Sequence, residues 1–211
     1  MFSAGSLSLR GFTLWRMFGA TLAALCLSAC ANLLPPAEGQ VVAQRNQLQS
    51  FALEGRFALR HEEKSTSGRL SWRHVGERDE LLLASPFGQG MAEIVSDAAG
   101  ARLTTSDGKS YVAADAETLT LQVLGYPLPL GQLLDWVRGR AAGSGFEALD
   151  AFGRPLRLRQ DAWRIDYEYD NDDPQALPGR LVVQREGVLE LRLRIDEWRD
   201  LKGEDANHDP R

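Results

Sequence analysis

Few side chains in this sequence have the type and spacing for covalent chemistry. Of its two cysteines, Cys26 lies within an apolar run and Cys30 comes after the Ser28-Ala29 pair that follows it, closing the segment Leu27-Ser28-Ala29-Cys30. A thiol acts as a nucleophile through its thiolate, and Cys30 sits where an exported chain would be cut. The histidines are His61, His74 and His208. His61 and His74 fall at strand ends among charges and His208 near the terminus, so all three read as satisfied or solvated surface groups rather than as bases or ligands. There is no Gly-x-Ser-x-Gly elbow and no phosphate-binding loop. Gly143-Ser144-Gly145 reads as a flexible connection. Asp170-Asn171-Asp172-Asp173 has the acidity of a calcium loop, but Pro174 and the lack of a downstream Gly and Glu spoil the spacing, which leaves a solvated acidic turn. No metal, cofactor or catalytic residue is expected, and a hydrolase is the weakest reading.

Arg10 and Arg16 precede the apolar stretch Met17 to Leu27, and small residues end it. A basic n-region, a short h-region and small residues before the cut make a secretory signal peptide. The four residues ending at Cys30 resemble the lipobox of bacterial lipoproteins. That resemblance implies a diacylglyceryl group on the Cys30 sulfur, removal of residues 1–29, and a lipidated N-terminus and tether over residues 30–40. Two plainer readings stay open. One is an uncleaved membrane helix, although Met17–Ala29 has thirteen residues and a span needs about twenty. The other is an ordinary signal peptide that leaves a free Cys30 thiol. Ala31, where Asp would signal retention at the inner membrane, points by the same analogy to the outer membrane, with the protein facing the periplasm.

From Cys30 onward the chain has a length suited to one domain with a real core. Loss of Arg10 and Arg16 takes the formal charge from −5 to −7, a balance that repels nucleic acid and anionic lipid unless the charge is patchy. With Cys30 as the sole mature cysteine, no internal disulfide can form.

Pro35 and Pro36 mark the tether. A domain is expected over residues 41–201, opened by a short helix over Val41–Leu48, and a disordered tail over 202–211. From Phe51 the hydrophobic period is two. Phe51, Leu53, Gly55, Phe57 and Leu59 share one face; so do Leu70 and Trp72, Leu156 and Leu158, Trp163 to Tyr169 on the odd positions, and Leu189, Leu191, Leu193 and Ile195. Such alternation predicts antiparallel strands with one wet face. Asp107-Gly108 and Glu186-Gly187 predict hairpin turns, and Val95 to Ser106 and Tyr111 to Ala113 read as weaker strands. The period breaks at Asp115 to Gly139, where two helices are predicted, Ala116–Leu124 and Leu130–Arg138, with Gly125 ending the first and Pro127 and Pro129 between them. Their apolar sides, Leu119, Val123 and Leu124 and then Leu133, Leu134, Trp136 and Val137, need the sheet to cover. The fold expected is mainly β: an incomplete, open antiparallel barrel of about eleven strands, covered by short α-helices. Its interior is either packed or a hydrophobic cavity, since both look alike in a period-two pattern. The cavity-lining candidates are Leu53, Phe57, Leu70, Trp72, Leu119, Val123, Leu133, Trp136, Trp163, Ile165, Leu191 and Leu193.

The segment Leu81-Leu82-Leu83-Ala84-Ser85-Pro86-Phe87-Gly88 runs from a strand into a turn that carries a bulky apolar residue, where polar residues are usual. Phe87 either folds back as a local plug or stands out as a finger for a membrane or an apolar partner.

Over Leu48 to Trp198 the chain resembles the outer-membrane lipoprotein receptor family LolB. The segments that carry the resemblance are Leu53–Phe57 (Leu-Glu-Gly-Arg-Phe), Ser67–Trp72, Leu81–Gly88, Asp107–Tyr111, Gly125–Leu130, Trp136–Gly139, Gln160–Tyr167, Leu177-Pro178 and Arg194–Trp198, in that order. The resemblance implies an open barrel whose apolar cavity takes up lipoprotein acyl chains. It also implies a soluble LolA-like periplasmic carrier as donor, acylated lipoproteins as cargo, and the outer-membrane bilayer as acceptor. No catalytic residue comes with it, and a monomer is expected. The family's protruding loop carries an apolar residue after a Pro, commonly Leu; here that position is Phe87, a departure that keeps bulk and apolarity, so the resemblance assigns Pro86, Phe87 and Gly88 to membrane insertion. A structural lipoprotein with a packed β-core that binds a protein partner is the alternative.

Overall fold

The computed structural model describes residues 48–141 and 145–202. The signal sequence, Cys30, the tether, the helix expected over Val41–Leu48 (but for Leu48), nearly all of the tail, and Gly143-Ser144 lie outside the described residues.

Eleven strands form one antiparallel sheet: β1 (Phe51–His61), β2 (Lys64–Val75), β3 (Arg78–Ala84), β4 (Gly90–Asp97), β5 (Gly100–Thr105), β6 (Ser110–Ala113), β7 (Phe146–Leu149), β8 (Pro155–Gln160), β9 (Trp163–Glu168), β10 (Arg180–Arg185) and β11 (Leu189–Asp200). The order across the sheet is β6-β5-β4-β3-β2-β1-β11-β10-β9-β8-β7. Two meanders are thus joined by one long-range ladder, β1 on β11, which pairs Phe51 with Asp200 at one end and His61 with Leu189 at the other. The edge strands β6 and β7 do not pair, so the sheet stays open. Both edges are short, and β7 breaks register twice against β8; such blunted edges resist pairing with a foreign strand.

Between the two edge strands the chain forms α1 (Ala116–Leu124) and α2 (Leu130–Val137). The helices close over the apolar face of the sheet, and their buried side chains join those of the strands in one core cluster. The run read as one strand from Val95 to Ser106 is two strands, because Asp97 turns the chain by accepting the Ala99 N–H at 2.9 Å and Gly100 takes a positive φ of 137°.

Two features depart from simple alternation. In β11 the register slips opposite Glu54/Gly55: Glu54 faces Glu197 and Gly55 faces Ile195. One extra residue flips all that follow. Trp198 therefore points inward, where its ring meets Phe51 at 5.3 Å and its Nε1 donates to the Pro178 carbonyl at 3.1 Å. Leu156, expected inward with Leu158, is exposed, while Leu158 is fully buried; Leu156 lies near the irregular edge pairing, where no regular ladder covers it.

The antiparallel ladders place the turns β1–β2, β3–β4, β5–β6, β8–β9 and β10–β11 at one end of the sheet. Leu48 enters at the opposite end, where the Leu201 N–H donates to the Ser50 carbonyl at 3.1 Å.

Candidate functional site

The apolar interior is built by the two helices and by what pins them. Asp115 caps α1, its carboxylate accepting the Thr118 N–H at 2.7 Å. That hydrogen bond holds the Asp115 carboxyl below its usual pKa. Gly125 ends α1 at φ 86°, a conformation that suits glycine. Thr120, fully buried, donates to the Glu117 carbonyl and accepts the Leu128 N–H at 2.9 Å, which fixes the Pro127–Pro129 connection. At the rim, the Tyr126 ring stacks on His61 with centroids 4.1 Å apart.

In α2, Trp136 is fully buried; its Nε1 donates to Gln160 at 3.0 Å and its ring lies 5.8 Å from that of Trp163. The buried Arg138 ends the helix. Its guanidinium donates to the Leu134 and Leu48 carbonyls, both at 2.9 Å, and to Asp135 at 3.0 Å, and it lies over the Phe51 ring. Burial and the neighbouring Arg140 cation lower its pKa, against the pull of Asp135 and Asp79. α2 is thereby tied to the point where the chain enters the domain.

Ten of the twelve cavity candidates, Leu53, Leu70, Trp72, Leu119, Leu133, Trp136, Trp163, Ile165, Leu191 and Leu193, are buried, and Phe57 and Val123 are partly buried against them. They belong to one continuous apolar cluster between sheet and helices. Among these side chains the interior is closed: Leu119, Trp136 and Ile165 have no exposure at all. Two surface depressions, of about 660 and about 360 Å³, lie elsewhere and have charged residues in their walls. The same cluster holds Ile94, Leu103, Leu181 and Val183, which lie in strands whose alternation is too short to stand out. Leu124, expected on the buried side of α1, is 39% exposed, since it sits in the last turn beside the Gly125 cap.

Pro86, Phe87 and Gly88 form the β3–β4 turn. The Gly88 N–H donates to the Ser85 carbonyl at 2.8 Å and the Ser85 N–H to the Gln89 carbonyl at 2.7 Å. Gly88 adopts φ 85°, and Pro86 supplies the fixed φ that such a turn favours in its second position. These two hydrogen bonds close the turn, and Phe87 at its tip is 95% exposed. Of the two conformations open to it, the finger is the one adopted. Leu81 through Ala92 contains no charged residue, and Leu82 is half exposed behind the tip.

The remaining sequence candidates are occupied by structure. His74 is buried rather than at the surface. Its Nδ1 lies 2.9 Å from Asp79, whose carboxylate also accepts the Trp72 Nε1–H at 2.8 Å. In the acidic turn, Asp170 pairs with Arg194 at 2.6 Å, and the Asn171 and Asp173 carbonyls accept from the buried Arg154. Among the described residues no group of three or more His, Cys, Asp or Glu is placed to hold a metal. His208 lies outside them.

Known proteins match this arrangement over nearly its whole length. The profile of the family described as Outer membrane lipoprotein LolB matches residues 49–198. The outer-membrane lipoprotein LolB of Dechloromonas aromatica is 42% identical, covering 87% of this chain and 97% of its own length. That of Azoarcus sp. is 39% identical, covering 85% and 92%. A LolA superfamily protein of known structure from Nitrosomonas europaea overlaps 78% of this chain and 94% of its own, at TM-score 0.48 and 11% identity. With the family profile spanning most of the chain and close relatives aligned almost end to end, this chain belongs to the outer-membrane lipoprotein LolB family.

Proposed function

We propose that this outer-membrane lipoprotein, anchored through a diacylglyceryl group on Cys30, receives acylated lipoproteins from a LolA-like periplasmic carrier and inserts them into the inner leaflet of the outer membrane. The observation that carries the reading is the continuous apolar interior of an open sheet, roofed among the described residues by two short helices. Acyl chains enter by replacing helix side chains against the strands.

The magnitudes are matched. Lifting Leu119, Leu133, Trp136 and Val137 off the sheet forgoes roughly 1.5–3 kcal/mol for each side chain. An acyl chain regains ~0.8 kcal/mol per buried CH₂, so roughly a dozen methylenes offset the loss. Cargo is then held more weakly than in a bilayer, which demands no such exchange, and differential affinity drives release without nucleotide hydrolysis. Phe87 touches the membrane at that last step.

A closed interior also suits a scaffolding lipoprotein that binds a protein partner through its surface. An apolar fluorescent probe separates the two. Acylated lipoprotein displaces bound probe in the receptor reading and unacylated lipoprotein does not; failure to bind probe, or equal displacement by both, rejects the receptor. A form lacking Cys30 accepts cargo equally well, since the interior belongs to the domain.

A further inference from the structure

Among the described residues, two buried side-chain atoms have no hydrogen-bond partner: the Tyr167 hydroxyl and Nη1 of Arg140. The Arg140 guanidinium has Asp135 beside it at 3.6 Å and is a quarter exposed. Tyr167 has no such relief. It is 4% exposed and belongs to the apolar cluster between sheet and helices. Burial raises its pKa strongly, so the hydroxyl keeps its proton. It is a neutral donor in a place where no described group accepts from it. Burying such a group costs free energy that a plain phenyl ring in the same space would not.

The strand register places this donor on the wall that the helices cover. In β9 the inward side chains are Trp163, Ile165 and Tyr167, opposite Arg185, Val183 and Leu181 of β10. α2 crosses this strand. Its Trp136 ring lies 5.8 Å from that of Trp163, and a side chain added at Gly139, just past the helix, would meet the Tyr169 hydroxyl at 3.7 Å. Tyr167 lies between those two points, on the wall and under the roof. When α2 gives way to an acyl chain, the wall stays and presents the hydroxyl to whatever replaces the helix. Ile165 and Trp163 continue the wall on one side of Tyr167. On the other side the Tyr169 ring carries the Arg154 guanidinium at 4.2 Å. The inner wall therefore passes from apolar side chains, through a lone donor, to a cation. An acyl chain has the matching order, methylenes that neither donate nor accept and then a carbonyl that only accepts. We propose that the Tyr167 hydroxyl donates a hydrogen bond to the ester carbonyl of an acyl chain on a bound lipoprotein, and so distinguishes acyl chains from plain hydrocarbon. The inference rests on the reading that acyl chains enter the interior, and it names a residue that selects among them. A hydrocarbon that fills the interior leaves the donor orphaned, whereas an ester satisfies it.

The test uses the whole mature chain with Cys30→Ala, which keeps the domain and omits its own lipid. A bound apolar fluorescent probe is displaced by one of two peptides. Both begin with a cysteine whose sulfur carries a glyceryl group; one bears palmitoyl chains in ester linkage and the other hexadecyl chains in ether linkage, which lack the carbonyl. The ester peptide is expected to displace the probe at about tenfold lower concentration, the factor that one hydrogen bond in an apolar site supports. In Tyr167→Phe the two peptides are expected to act at equal concentration, with the loss on the ester side. Tyr169→Phe, at a hydroxyl already committed to the Pro155 carbonyl at 3.0 Å, is expected to retain the tenfold preference. Equal action of the two peptides on the chain with Tyr167 intact overturns the proposal. So does a preference that survives Tyr167→Phe or vanishes in Tyr169→Phe. A lysophospholipid pair, palmitoyl against hexadecyl, repeats the comparison; an ester preference there and none among the peptides overturns the assignment to lipoprotein cargo in favour of a membrane lipid. Displacement by both peptides without a preference rejects the role of Tyr167 alone, whereas displacement by neither rejects the receptor reading with it.

Discussion

Phe87 stands out because nothing packs on it. A benzyl side chain left in water forgoes roughly 1.5–3 kcal/mol of burial, and the hydrogen-bonded turn from Ser85 to Gln89 holds it there. Phe87→Glu is expected to leave melting temperature and cargo uptake unchanged and to block transfer into liposomes; normal transfer removes the finger from the mechanism. Tyr167 presents the opposite case. Its hydroxyl is buried with no hydrogen-bond partner among the described residues, and burial, with some help from Tyr169, pushes its pKa far above the usual phenol value. Tyr167→Phe deletes an unsatisfied polar atom and keeps the ring, so it is expected to raise stability by about 1 kcal/mol in denaturant unfolding. A loss of stability would mean that the hydroxyl has a partner in solution.

Among the elements, α1 is the one whose boundaries are written most plainly in local chemistry: Asp115 at the start, Gly125 at the end and Pro127 beyond. The cap at its start is pH-sensitive. The Asp115 carboxyl is depressed in the folded state, so its stabilisation is fully present above the ordinary aspartate pKa near 3.9 and is lost as pH falls below it through the folded value. Asp115→Asn retains a capping acceptor and is expected to flatten the acid limb of a thermal-melting profile, whereas Asp115→Ala lowers stability at neutral pH. An unchanged acid limb in Asp115→Asn would assign the acid sensitivity to other carboxylates.

Strand faces were readable wherever alternation ran for four or more residues, as in Trp163–Glu168. They were misread at Leu156 and left unread at Trp198, where geometry intervenes. Trp198 is turned inward by a register slip that has no local signature, and Leu156 is left outside by an edge that pairs irregularly. The Tyr126–His61 stack and the Arg138–Leu48 tie join residues far apart in sequence, so no spacing rule reaches them. Whether the interior is packed or hollow was also beyond the period-two pattern, because a strand shows the same alternation against lipid as against a helix.

At the scale of the molecule, the open sheet with its helical insert places all the apolar capacity of a receptor within one domain, so the anchor and the domain have separable roles. They also start from opposite ends. Leu48 enters at the end far from Phe87, and Arg138 staples it there. Eighteen residue steps lead from Cys30 to Leu48, a leash of at most ~60 Å at ~3.5 Å per residue. The eleven residues of β1 span ~37 Å at ~3.4 Å each. With the anchor proposed at Cys30, the lead is long enough for the domain to double back and deliver into the bilayer that moors it, with little slack. Removing ten residues from it leaves ~28 Å, shorter than the domain it must pass. Such a shortened form is expected to load normally and to deliver poorly to its own vesicle, and fluorescence transfer of labelled cargo between and within vesicles would separate the two.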